Sequence, residues 1–285
     1  MSRISSDELF CMLATMPRSG TWYSFFFFEY FDSFLTGRTP IRTQAMTYLY
    51  RGLGITKAHG HLMCPSFPDH YKEPLRAAWD SLEFKSDGIN SGYEELVVKR
   101  GQQFDLWRNP QLRIAYLYRN PLDQAVSHFH TLYWREKTME PDRFRSGLLK
   151  WVREVSIESY IKQYFTYHVM RQAYRDSVLC IAYEDLVRAP HKYFKKIALH
   201  FGFAVEASEE QRCFEQALQA TTTTSMRQLE SRLGHAFGHP EIRNDSHIHD
   251  GSIGKWQKWL DEETVTYAEN RLREYGLSLR HFVLT

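Results

Sequence analysis

The sequence predicts a single α/β domain with a central parallel sheet flanked by helices, and three observations lead there. Short apolar segments recur along the chain, "FCMLATM" (10–16), "GITKAHG" (54–60), "RIAYLYR" (113–119) and "SVLCIAYEDL" (177–186), separated by stretches of helical period. Strands that alternate with helices pair in parallel and bury both faces of the sheet. No repeat, low-complexity tract or Pro/Gly-rich linker divides the 285 residues, so one domain is expected over 1–285. Hydrophobic residues make up 43% and charged residues 25%, the balance of a soluble globular chain.

The first strand runs through "ATMPRSGT" into a helix at about 20–35 containing "FFFF" (25–28). Tyr23, Glu29 and Asp32 flank that run, which makes it a helix packed on a sheet. No apolar segment approaches the ~20 residues of a membrane span. Further helices are expected at 121–136, 146–175, 190–201, 208–219 and 261–274, the first opened by Pro121 in a first-turn position. The stretch 221–259 carries threonines, glycines, histidines and a proline with little periodicity. It reads as a long loop acting as a lid.

A net charge of +2 does not point to bulk nucleic-acid binding, so an anionic ligand has to be held by local cations. Cys11, Cys64, Cys180 and Cys213 form no C-x-x-C pair, which argues against a zinc site or disulfide framework and for reduced thiols in the cytoplasm. "MSRISSDELF" is too polar for a secretory leader. His128, His130, His239, His247 and His249 fall on different elements with no Cys or carboxylate to complete a set, so no metal is expected. Aromatics reach 15%, which suits either an aromatic core or a pocket for a small organic acceptor; composition alone favours the core.

Two constellations suit an anion. A turn feeding a helix presents free N–H groups and the positive end of the helix dipole. In "PRSGT", Gly20 permits close backbone approach, and Arg18, Ser19 and Thr21 add donors. The same residues also suit an ordinary strand-to-helix turn with a Ser/Thr cap. In "YLYRNPLDQAVSHFH" (116–130), Arg119 ends a strand and Ser127 lies two turns into the next helix. Both fall near the carboxyl end of the sheet, where α/β ligands bind, although Arg119 also suits a local cap with Asp123. An NTPase places a magnesium-binding Asp at that strand end; here an Arg stands there. Lys57 and His59 alternate on a strand and share a side. His59 is thus a candidate base and Lys57 a charge stabiliser, with His61 the rival base and Glu29 a third.

"PRSGT" followed by "YRNPLDQAVSHFH" resembles the cytosolic-type sulfotransferases, which use 3′-phosphoadenosine 5′-phosphosulfate (PAPS). Their patterns are P-[KR]-S-G-T-T-W for the 5′-phosphosulfate and R-N-P-x-D-x-x-x-S for the 3′-phosphate. "AYEDL" (182–186) is similar to their Y-E-D-L/M segment, whose Tyr contacts adenine, and "DGSIGKWQKW" (250–259) to their late R-K-G-x-x-G-x-W-K. The resemblance implies a P-loop-kinase-like architecture and sulfuryl transfer from PAPS to a small-molecule acceptor, leaving 3′,5′-ADP without a metal. It puts Arg18, Ser19, Gly20, Thr21, Trp22 and Tyr23 at the loop, and Arg119 and Ser127 at the 3′-phosphate. It puts Tyr183 at the base, and Gly251, Gly254 and Trp256 in the closing segment. Thr221, Thr222 and Met226 match loosely a T-S-x-x-x-M stretch beside the adenine. The chain departs at Trp22 and Tyr23, which replace a Thr and a Trp, and at His249 and Asp250, which replace a basic pair. "KAHGHLMCP" (57–65) stands early for the family's K-T-H-L-P. A small-molecule or nucleoside kinase and a catalytically silent nucleotide-binding module are the alternatives.

Overall fold

The computed structural model describes residues 10–37, 47–50, 53–59, 62–63, 83–84, 112–133, 141–173, 175–233, 235–236, 239–243 and 251–282. Its main sheet is built from β1 (Phe10–Thr15), β2 (Thr47–Tyr50), β3 (Leu53–His59), β6 (Leu112–Tyr118) and β7 (Val178–Ala182), in the order β2-β3-β1-β6-β7. The last four of these run parallel, and β2 pairs antiparallel to β3 at the edge. β4 (Leu62–Met63) and β5 (Glu83–Phe84) form a separate antiparallel pair. The expected central parallel sheet is therefore present.

β6 shows why this sheet lies between two layers. Ile114 and Tyr116 enter one apolar cluster, Ala115 and Leu117 the other, and all four are fully buried. A strand covered on both faces reads as a continuous apolar run, not an alternating one. The helices are α1 (Thr21–Thr36), α2 (Pro121–Tyr133), α3 (Pro141–Trp151), α4 (Ile157–Ala173), α5 (Tyr183–Arg188), α6 (Pro190–His200), α7 (Ser208–Ala220), α8 (Thr223–Leu233) and α9 (Glu262–Glu274). Side chains of α2, α3, α4 and α9 fill the first cluster; those of α1, α5, α6, α7 and α8 fill the second. The "FFFF" run is buried as expected, with Phe27 stacked 3.9 Å from Phe194 and set edge-on to Phe28 and Phe214.

Three sequence expectations change. The helix expected over 146–175 is two helices, α3 and α4, joined by a π-helical turn at Val152–Ser156. The inserted residue turns Arg153 onto the start of α9. There its Nε and Nη2 donate to Thr264 Oγ1 at 3.1 and 2.8 Å, and its Nη1 to Glu263 at 2.9 Å. The strand expected over 177–186 stops at Ala182, and Tyr183 begins α5. The 221–259 lid is not one loop. It contains α8, whose Met226, Leu229 and Glu230 are buried at helical spacing, and the hairpin of β8 (His235–Ala236) with β9 (His239–Arg243). A 3-10 turn follows at Lys255–Lys258.

Cys11, Cys180 and Cys213 are buried free thiols, and burial pushes Cys180 up to about 12; Cys64 lies outside the described residues. Among the described residues no helix is long and apolar enough to cross a membrane, and no His/Cys/Asp/Glu group could hold a metal ion.

His168 on α4 stacks on Tyr164 at 3.8 Å, meets Tyr118 edge-on and donates from Nδ1 to the Tyr164 carbonyl at 2.7 Å. Burial lowers its pKa to about 4. The unfolded imidazole titrates near ~6.5. Between those values the unfolded chain binds a proton that the folded chain does not, so stability falls as pH drops through that window. His168→Phe keeps the stack and removes the titration. Urea denaturation at pH 7 and pH 4.5 should show a smaller acid loss for the variant than for the wild type. Equal losses would mean that His168 does not contribute.

Candidate cofactor-binding site

Three parallel strands deliver their carboxyl ends to one place. β1 exits into residues 16–20, whose path is fixed when Met16 N–H donates to Leu117 O at 2.8 Å and Ser19 N–H to Met16 O at 3.1 Å. Arg18 has a φ of 67° and Gly20 a φ of 86°. Left-handed residues on both sides of Ser19 curl the loop into the concave form that gathers N–H groups around an anion. Gly20 is required for a second reason: a Cβ there would stand 2.8 Å from Tyr183 Cδ2. Thr21 ties the first turn of α1 to the end of β1, its Oγ1 2.6 Å from Thr15 Oγ1. Ser19 Oγ is fully buried and has no partner among the described residues.

β6 exits into Arg119 and Asn120. Asn120 caps α2, its Oδ1 accepting from Leu122 N–H at 3.0 Å and Asp123 N–H at 3.3 Å, with Pro121 in the first turn. Its own N–H donates to Glu184 Oε1 at 2.9 Å. Burial raises the Glu184 pKa, and the hydrogen bond from Asn120 opposes the shift.

Arg119 is 5% exposed. Its Nη1 donates to Arg18 O at 3.3 Å and its Nη2 to Ser252 O at 2.9 Å, while the guanidinium lies 4.7 Å over the Tyr183 ring. Its backbone is pinned by Tyr160 Oη, which donates to Arg119 O at 2.7 Å. Arg119 Nε is buried with no partner among the described residues. Of the buried polar atoms with no partner among the described residues, Ser19 Oγ and Arg119 Nε both belong to this loop and strand end, where a polyanionic ligand would satisfy them.

The two sequence motifs meet directly. Arg18 Nε donates to Ser127 Oγ at 3.3 Å, joining the first loop to α2, and Gln124 Nε2 adds a bond to Pro17 O at 3.1 Å. Asp123 does not pair with Arg119, the local alternative that the sequence left open: it accepts from Gly254 N–H and Trp256 N–H. Tyr183 sits between the loop and the late segment, since a Cβ on Gly251 would lie 3.2 Å from its hydroxyl.

The other sequence candidates are placed as follows. Trp22 stacks on Phe26 at 5.7 Å, and Tyr23 meets Phe194 edge-on at 5.0 Å with its phenol pushed up to about 12 by burial. Thr221 Oγ1 donates to Ala217 O at 2.8 Å at the end of α7. Thr222 Oγ1 lies 2.7 Å from Ser225 Oγ, and Met226 is buried in the second cluster. Lys57 and His59 occupy alternate positions of β3, in register with Leu13 and Thr15 beside the loop. His61 and His249 lie outside the described residues. Asp123, Gln124 and Ser252 are contacts that sequence reasoning did not assign to the site. The Asp in R-N-P-x-D was the available signal, but what it holds lies 131 residues away.

Gly20→Ala tests this geometry against a built-in control. Both Gly20 and Gly37 have positive φ, but a Cβ on Gly37 meets nothing within 4 Å. Both variants should lose the roughly 1 kcal/mol or more of an αL non-glycine residue. Gly20→Ala should lose more, because its methyl displaces the Tyr183 ring. Equal denaturation midpoints for the two variants would contradict the packing of Tyr183 on the loop.

A sulfotransferase domain model matches residues 10–275. Among curated proteins, cytosolic sulfotransferase 17 of Arabidopsis thaliana is 23% identical over 192 residues, covering 63% of this chain and 51% of that protein. The chain thus spans about half the length of that relative. Among solved structures, the mouse sulfotransferase SULT7A1 complexed with PAP matches with a TM-score of 0.56 at 17% identity, over 97% of this chain and 88% of that one. A retinol dehydratase in complex with retinol and PAP matches at 0.53 and 16%, over 93% and 80%. These structures share the fold, and the domain model covers every strand and helix that forms the site. The chain belongs to the sulfotransferase domain family.

Proposed function

We propose that this protein transfers the sulfuryl group of PAPS to a hydroxyl or amine of a small organic acceptor and releases 3′,5′-ADP. The observation that carries the reading is the buried strand-end Arg119, linked through Arg18 to Ser127 and to the loop of Ser19; Arg119 Nε and Ser19 Oγ have no partner among the described residues. Two anion-binding elements joined in this way suit a ligand with phosphates at both ends of a nucleoside. Arg18, Ser19, Gly20 and Thr21 hold the 5′-phosphosulfate; Arg119 and Ser127 hold the 3′-phosphate. Trp22, Tyr23, Tyr183, Thr221, Thr222 and Met226 border the base, and His249 and Gly251 belong to the closing segment. The family's solved relatives were crystallised with PAP, which supports the same cofactor here.

His59 takes the proton of the acceptor as its oxygen or nitrogen attacks sulfur. Lys57 and Arg18 carry the negative charge that moves onto the bridging oxygen as the S–O bond breaks in line. Register supports these roles, because His59 pairs with Thr15 at the start of the loop. The retinol dehydratase structures hold retinol or androsterone, both apolar alcohols, which supports a small organic acceptor. We place the enzyme in the cytoplasm, acting on a secondary metabolite. A kinase is disfavoured by a specific observation: the two carboxylates at this strand end are both engaged by backbone N–H groups, Asp123 by Gly254 and Trp256 and Glu184 by Asn120.

Turnover of labelled PAPS with a panel of phenols, alcohols and amines should proceed in EDTA. His59→Ala should lower it by roughly 10²–10⁴ while leaving 3′,5′-ADP binding unchanged. Strict Mg²⁺ dependence would move the reading to the kinase. Inactivation by His61→Ala with His59→Ala active would move the base by two residues.

A further inference from the structure

We infer that Asp123 is a positioning residue: it clamps the segment 251–256 beside Arg119 and thereby sets affinity for the 3′-phosphate without touching it. The inference rests on the sulfotransferase reading above.

Asp123 is 1% exposed in the first turn of α2. A carboxylate there would ordinarily serve its own helix, but Asn120 already caps the N–H groups of Leu122 and Asp123. Both Asp123 oxygens instead leave the helix. Oδ2 accepts from Gly254 N–H at 2.6 Å and Oδ1 from Trp256 N–H at 3.1 Å. Two N–H groups two residues apart converge on one carboxylate only if the backbone turns sharply between them and the residue before. The left-handed Gly254, at φ 84°, supplies that turn.

The opposite charge acts on the same segment. Arg119 Nη2 donates to Ser252 O at 2.9 Å. One turn of chain is thus held by a cation on its carbonyl, from the end of β6, and an anion on its N–H groups, from the first turn of α2. Charge-assisted bonds of this kind are roughly twice as strong as neutral ones. Because Arg119 is bound to the segment, the place of the segment and the aim of the guanidinium are set together. Loosening the anionic half lets Ser252 and Arg119 shift, and the 3′-phosphate contact weakens first. The loop from Arg18 to Thr21 shares one bond with Arg119, at Arg18 O, but is also held to β6 and α2 by bonds that involve neither Arg119 nor the late segment.

Asp123→Asn keeps shape and volume but places an amide NH₂ against one backbone N–H. Calorimetry should show 3′,5′-ADP binding weakened by about tenfold or more, with 5′-AMP, which lacks the 3′-phosphate, nearly unchanged. Equal weakening for both nucleotides would mean that Asp123 is merely structural, and no weakening for either would also overturn the inference. A second arm needs no variant. In the wild type, hydrogen exchange at the Gly254 and Trp256 amides should be slow and should rise together; fast exchange at both refutes the clamp even if Asp123→Asn does not fold. Absence of 3′,5′-ADP binding by the wild type would defeat the sulfotransferase reading, while the exchange arm would still judge the clamp.

Discussion

The site depends on one buried guanidinium. Arg119 reaches three separate parts of the chain from the end of β6: the first loop through Arg18 O, the late segment through Ser252 O, and α5 through the face of Tyr183. A cation this buried is costly unless its donors are matched. Its two Nη donors find backbone carbonyls, and its place is fixed from behind by Tyr160. The remaining Nε is what a ligand oxygen would complete.

Other features follow from that arrangement. Tyr183 must lie flat under Arg119, so the loop above it needs a residue without a Cβ at position 20, and the late segment approaches closely at Gly251. Glu184, the next residue, binds the N–H of Asn120 and keeps the ends of β6 and β7 together. The first loop gains its own link to α2 through Arg18 and Ser127. Sheet, loop and late segment are therefore one connected polar network above two apolar clusters, each formed from alternate faces of the same strands.

Much of this was legible in the sequence, for local reasons. Strands β1, β6 and β7 announced themselves as apolar runs because both sheet faces are covered there. Arg18, Arg119 and Ser127 stood out because their spacing from a strand end puts them at one edge of the sheet. What escaped was non-local or broke a period. The π-helical turn at Val152–Ser156 interrupts a pattern that otherwise reads as one helix, and the contact it serves, Arg153 with Thr264, lies 111 residues away. Helix α8 was hidden behind four threonines, although Met226 and Leu229 carry a helical spacing. Asp123 looked like a partner for Arg119 four residues before it, because nothing in the local sequence says that each reaches the late segment instead. Lys57 and His59 are placed by strand register alone.

The central claim is that Arg119 organises an anion site at the end of β6, and titration of 3′,5′-ADP into Arg119→Ala tests it most directly. A charge-assisted contact to phosphate is worth roughly 1.5–3 kcal/mol. The account predicts affinity about tenfold to a hundredfold below wild type, in a variant whose far-ultraviolet circular dichroism matches the wild type. Unchanged affinity in a folded variant would remove Arg119 from the site and contradict the account.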